Sequence, residues 1–132
     1  MIVVDTSAVI GALAARPEPA GLSTRIQDDG DLHAPHLLDV EFIHALRRLL
    51  LAGELTVDRA ADVRADFADL SIVRYPHHPL ADRMWALRDN VSAYDAAFLA
   101  LAEALRVPLI TCDARLARAG GQLAEIELFG AS

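Results

Sequence analysis

The sequence predicts an α/β fold: a mainly parallel central sheet of four to five strands, flanked by helices on both faces. Three observations carry this reading. Short apolar, often β-branched runs alternate with longer stretches of helical periodicity, the signature of strands joined by helical crossovers. Alanine supplies 25 of the 132 residues against four Phe, two Tyr and one Trp, which suits small-residue helix packing better than a β-sandwich. The chain is 54% hydrophobic and 23% charged, too apolar for disorder, and its length predicts a single domain over residues 1–132.

Taken in order, Ile2-Val3-Val4 reads as a buried strand ending at Asp5. Thr6 or Ser7 then caps a helix to about Ala15, stopped by Arg16-Pro17-Glu18-Pro19. A second helix covers Gly21 to Asp28, and Asp29-Gly30-Asp31 is turn chemistry before a strand at Leu32-His33-Ala34, closed by Pro35. Between His36 and Leu51, Leu38, Phe42, Ala45, Leu46 and Leu49 fall on one helical face, and Gly53 ends the helix. Thr56-Val57-Asp58 opens a helix to Asp69, whose Asp and Arg residues form a charged solvent face. Ser71 to Tyr75 is a strand, and His78-Pro79 begins a helix to about Asp89. Ser92-Ala93-Tyr94-Asp95 resembles a capping box at the head of a very apolar helix reaching Arg106. Pro108 to Thr111 is a strand, Asp113 precedes a short helix to Arg118, and Glu125 to Phe129 is the last strand.

Composition excludes several chemistries. All 12 basic residues are arginine, so nothing that needs a lysine is available: no Walker-A phosphate loop, no PLP Schiff base, no kinase or receiver-type phosphoryl transfer. One cysteine, Cys112, builds neither a disulfide framework nor a thiolate zinc site, and it reads as a small buried hydrophobe. No run approaches the roughly 18 apolar residues of a membrane span. The opening MIVVD lacks a signal peptide's basic region and cleavage site. A cytoplasmic location without membrane attachment is therefore expected. The net charge of −7 has the wrong sign for bulk electrostatic attraction to nucleic acid.

Four acids stand out. Asp5 and Asp113 follow strands whose carboxyl ends border the ligand crevice of an open α/β sheet. Asp95 lies in the first turn of the apolar helix, and Glu41 at the border of a buried helical face. Each has an ordinary explanation: strand end and helix cap for Asp5 and Asp113, capping box for Asp95, solvated helix residue for Glu41. Their conjunction asks for a common cause. Two carboxylates about 4 Å apart repel by roughly 4 kcal/mol at an effective dielectric near 20, so such a cluster holds protons or recruits cations. Oxygen-only ligation suits Mg²⁺, with Mn²⁺ as a substitute, and such ions activate water toward phosphodiesters.

On four segments, IVVDTSAVIGAL, LLDVEFIHALRRL, LRDNVSAYDAAFLALAEAL and LITCDARLARA, the sequence resembles the PIN-domain family of Mg²⁺-dependent nucleases, and within it the VapC-type toxins of toxin–antitoxin pairs. The third segment is the most specific, and together they span nearly the whole chain. The resemblance implies a PIN-like fold and a Mg²⁺-dependent endoribonuclease that uses metal-activated water and leaves a 5′ phosphate and a 3′ hydroxyl. It places the acidic quartet on Asp5, Glu41, Asp95 and Asp113. Asp5 and Asp95 would be the primary metal ligands; Glu41 and Asp113 would complete the site directly or through water. Thr6 and Thr111 would support the ligands with their hydroxyls. The implied partners are a VapB-type antitoxin, an RNA substrate (tRNA, rRNA or mRNA) and a second copy of the chain in a homodimer.

With the quartet set aside the chain stays mildly acidic, so RNA would be held locally by arginines. Arg88, Arg115 and Arg118 flank the site in sequence, with Arg47 and Arg48 as further candidates. His33, His36, His77 and His78 have no matching zinc motif, and His33 and His36 read as surface histidines. The apolar residues around Leu46 to Leu51, Val63 to Leu70 and Met84 to Leu87 exceed what a small sheet needs, which assigns part of them to an interface. The alternative function is a catalytically silent module that binds a basic peptide through its acidic pocket. A phosphatase or receiver-like phospho-acceptor ranks last, since Asp5 is followed by Thr6-Ser7 and no lysine is present.

Overall fold

The computed structural model describes residues 1–130. Its centre is a parallel sheet of five strands in the order β3-β2-β1-β4-β5, comprising β1 (Ile2–Val4), β2 (Leu32–Pro35), β3 (Ile72–Tyr75), β4 (Leu109–Thr111) and β5 (Ile126–Leu128). β1 pairs with β2 through Ile2–Leu32 and with β4 through Val3–Leu109. All residues of β1 and β4 are buried, as expected for central parallel strands covered on both faces. The outer strands β3 and β5 carry the polar residues Arg74 and Glu127.

The helices divide into two groups. α1 (Thr6–Leu13) packs on α2 (Leu22–Asp29), α3 (Leu37–Leu51) and α4 (Val57–Asp69). α6 (Ala93–Leu105) packs on α5 (Ala81–Ala86) and on β1, β2 and β4. Right-handed crossovers account for the division: the chain moves one way from β1 to β3, then returns across the sheet to β4 and β5, reversing the covered face. α7 (Ala114–Ala117) lies against β4 and β5. Ala96 to Ala102 are seven consecutive buried residues, so alanine lets α6 sit close on the sheet.

Local chemistry sets the boundaries. Gly30 ends α2 with φ 69°, a left-handed cap that a Cβ would disfavour. The start of α3 has no cap of its own; instead His77 Nε2 accepts the Leu37 N–H at 3.0 Å. The Arg74 guanidinium forks onto both oxygens of Asp39 at 2.7 and 2.8 Å, tying α3 to β3. Phe42 and Phe67 stack with ring centroids 3.9 Å apart, joining α3 to α4. Thr56 caps α4 by accepting the Arg59 N–H at 3.1 Å. Because Thr56 is exposed, Thr56→Ala removes the cap without opening a cavity, and urea unfolding should show a loss of about 1 kcal/mol.

Four expectations need correction. Asp5, rather than Thr6 or Ser7, caps α1, because its carboxylate reaches the Ala8 N–H at 2.8 Å. The helix expected from His78 to Asp89 is a single 3₁₀ turn at His78–Leu80 followed by the short α5. His33 is buried, held between the Tyr75 hydroxyl at 2.7 Å and Asp31 at 2.8 Å; a polar side chain at a core strand position is tolerated when both its nitrogens are paired. Most of the supposed apolar excess is core or packs against it, including Leu46, Val63, Phe67 and Leu87, and of the large side chains in that set Leu51 and Trp85 are exposed. Among the described residues no helix is long and apolar enough to cross a membrane.

Candidate active site

β1 lies between β2 and β4, so its two neighbouring connections leave in opposite directions and a crevice opens at the strands' carboxyl ends. Asp5 follows β1 directly, and Asp113 stands two residues beyond β4. α3 brings Glu41 to the crevice from its second turn, and α6 brings Asp95 from its first. All four carboxylates line one cleft of about 480 Å³, together with Arg48 and Tyr94.

Asp5 is the most constrained of the four, with 6% of its surface exposed. Oδ1 accepts from the Ser7 hydroxyl at 2.7 Å and from the Ala8 N–H, which uses both its lone pairs. Oδ2 accepts from the Thr111 hydroxyl at 2.5 Å and keeps one lone pair for another partner. Thr111 Oγ1 in turn accepts the Asp113 N–H at 3.0 Å, and Ser7 Oγ accepts the Cys112 N–H at 2.9 Å. The two hydroxyls therefore bolt the start of α1 to the end of β4. Burial raises the Asp5 carboxyl from its ordinary 3.8 to about 6; the hydrogen bonds oppose this and the nearby Asp113 adds to it.

Burial also raises the pKa of Asp95, with Arg115 opposing and Asp113 adding. Its backbone N–H donates to the Ser92 hydroxyl at 3.2 Å, so the helix cap does not depend on its carboxylate. Glu41 Oε1 accepts from the Thr6 hydroxyl at 2.6 Å, and Oε2 is engaged by none of the described residues. Asp113 caps α7 through the Arg115 and Leu116 N–H groups. Burial raises the Cys112 thiol to about 11, which leaves it protonated and a poor nucleophile at neutral pH.

The donor set is wholly oxygen, anionic and borne on or beside helices and strand ends, and its chemistry suits a hard divalent cation of the Mg²⁺ class. Among the described residues, no three ligating side chains stand at the mutual spacing needed to hold an ion. A cation is instead supplied by Arg115, whose guanidinium lies 3.3 Å from Asp113 and 3.7 Å from Asp95.

The arginines separate. Arg115 pairs with two of the acids, Asp95 and Asp113, and with Arg88 lines a neighbouring cleft; Arg118 is exposed and lines neither cleft. Arg47 lines a separate depression beside Ile43 and Arg64, whereas Arg48 lines the cleft that holds the acids. Sequence reasoning missed Ser7, His44 and Tyr94. Ser7 carried a signal in its position two residues after Asp5, where a short hydroxyl meets the carboxylate. His44 carried one too, since Glu41, His44 and Arg48 are spaced three and four apart on one helix face.

A family model described as PIN domain matches residues 2–122. Ribonuclease VapC1 of Mycobacterium tuberculosis strain H37Rv is 45% identical over 127 residues, covering 96% of each chain. Ribonuclease VapC12 of the same strain is 39% identical over 128 residues, covering 97% of this chain and 98% of that one. Among solved structures, VapBC2 from Rickettsia felis bound to a promoter DNA fragment superposes with a TM-score of 0.72 at 11% identity, over 98% of this chain and 100% of that one. Mycobacterium tuberculosis VapC20, described as a Sarcin-Ricin loop cleaving toxin, gives 0.62 at 16% identity, over 93% of this chain and 97% of that one.

Proposed function

This chain belongs to the PIN-domain family, and on that premise we propose that it is the endoribonuclease toxin of a toxin–antitoxin pair, dependent on Mg²⁺ and hydrolysing RNA phosphodiester bonds. The observation that carries the reading is the meeting of Asp5, Glu41, Asp95 and Asp113, from four separate segments, on one open cleft.

Asp5 and Asp95 are the residues to hold the cation, with Asp113 completing its surroundings. A divalent ion there supplies charge stabilisation to the phosphoryl group and acidifies water. The chain's own groups supply the remainder. Thr6 fixes one oxygen of Glu41, which leaves Oε2 to orient the attacking water and take its proton. The new bond joins water oxygen to phosphorus, and the bond from phosphorus to the 3′ oxygen breaks. The products carry a 5′ phosphate and a 3′ hydroxyl. Thr111 and Ser7 hold Asp5 in a single orientation throughout. Arg48, on the acid cleft, and Arg115, beside Asp95 and Asp113, offset the substrate's backbone charge.

The partners follow the same reading: a VapB-type antitoxin, a cytoplasmic RNA, and a second copy of the chain. The curated relatives carry the ribonuclease name, and two of the structural neighbours are VapBC complexes on DNA. Purified protein should cut RNA in Mg²⁺ or Mn²⁺, stop on addition of EDTA, and yield fragments that ligate through their 5′ phosphates. Cleavage undiminished in EDTA would refute metal dependence. Fragments with 2′,3′-cyclic phosphate ends would refute the water attack.

A further inference from the structure

We infer that the cleft beside the acids is a subsite for the unpaired nucleotide adjoining the cleaved bond, its phosphate taken by Arg88 and Arg115 and its base by the Trp85–Arg88 stack. The inference rests on the ribonuclease reading and deepens it.

The second cleft, about 420 Å³, falls within the size range of small-ligand sites. It shares Asp95 with the acid cleft, so a strand crossing the acids passes directly into it. Its wall is mixed, with Asn90 and Ser92 as hydrogen-bonding groups, Asp89 as its other acid, and Val91 and Leu116 as apolar lining. Arg88 is the telling residue. Its guanidinium lies over the Trp85 ring, 4.6 Å from the centroid, and is steadied by a 3.0 Å bond to the Trp85 carbonyl. Among the described residues no carboxylate stands within 4.0 Å of it, a condition it shares with other arginines; what sets it apart is its place on the Trp85 ring at the edge of this cleft. A planar cation held flat on an aromatic ring and left uncompensated is prepared for a phosphate. Trp85 remains 69% exposed beside it, and unpaired bases stack on such surfaces whatever their sequence.

Arg115 serves both clefts. It is 79% exposed while bridging Asp95 and Asp113, so it exchanges those carboxylates for a phosphate without breaking a buried pair. When the nucleotide draws it away, the two acids are freed for the cation.

Trp85 is the chain's one tryptophan, so its fluorescence reads the subsite directly. The probe is a uridine decamer titrated in EDTA, where binding is measured without cleavage. Emission should quench saturably. Arg88→Gln should weaken binding about tenfold, the worth of one charge-assisted hydrogen bond, and flatten the log–log salt dependence by about 0.7. Arg88→Lys should recover part of the affinity. A separate Mn²⁺ titration followed by electron paramagnetic resonance should show tighter Mn²⁺ binding in Arg115→Gln and no change in Arg88→Gln. Silent Trp85 emission, or wild-type RNA affinity in Arg88→Gln, overturns the subsite. Mn²⁺ affinity unchanged or weaker in Arg115→Gln overturns the exchange. A protein that fails to cut RNA yet shows this binding pattern loses the proposed function and keeps only a nucleotide-binding cleft; one that cuts RNA with Trp85 unresponsive loses the subsite alone.

Discussion

Asp95→Asn should reduce RNA cleavage by well over the roughly 10–100-fold lost when a mere supporting partner of a metal ligand is changed. The variant keeps the shape of the side chain and removes its charge. The α6 cap survives, since Ser92 accepts the backbone N–H of residue 95 and not its carboxylate. Circular dichroism should therefore match the wild type, and the unfolding midpoint should not fall, while cleavage disappears. Growth inhibition on induced expression should disappear with it. Near-wild-type cleavage by this variant, free of contaminating nuclease, would remove Asp95 from the site; absence of metal-dependent cleavage in the wild type itself is what would favour the silent peptide-binding module.

Asp5→Asn should likewise abolish cleavage, but it should also make the metal-free protein more stable at neutral pH. The sign follows from the raised carboxyl. With a native pKa near 6 against an ordinary 3.8, the folded state holds more protons than the unfolded chain between those values, so stability falls as pH rises through that window. The cost is complete above pH 6 and amounts to about 3 kcal/mol. Asparagine avoids it without losing the local bonds. Its carbonyl keeps the Ser7 hydroxyl and the Ala8 N–H, and its amide donates to Thr111 Oγ1, whose proton turns to Ser7 Oγ. Asparagine also caps helices as well as aspartate does. Urea unfolding in chelator should give the variant its full advantage at pH 7.0 and little at pH 4.2, on either side of the isoelectric point near 5.0. An advantage independent of pH, or a loss at pH 7.0, would overturn the argument.

Much of this was legible in the sequence, for identifiable reasons. The short β-branched runs beside Asp5 and Asp113 gave the central strands, because buried parallel strands need no alternation. Gly30, Thr56 and Ser92 marked helix ends through backbone chemistry that acts locally. Asp5, Asp95 and Asp113 were visible because each sits at an element boundary, and Glu41 because it borders the buried face of α3. What was hidden depends on contacts distant along the chain. The burial of His33 requires Tyr75, 42 residues away, and the capping of α3 requires His77, 40 residues away. The cleft formed by Arg88 and Arg115 exists because α7 folds back beside the entry to α6, which no local pattern announces.

Two of the four acids do a second job. Asp5 holds the head of α1 and Asp113 the head of α7, whereas the carboxylates of Asp95 and Glu41 bond to no backbone N–H among the described residues. Selection on the fold alone would therefore keep a capping side chain, aspartate or asparagine, at positions 5 and 113 in a descendant that had abandoned catalysis. Positions 41 and 95 would drift first, and they are the informative ones for telling living enzymes from decayed copies.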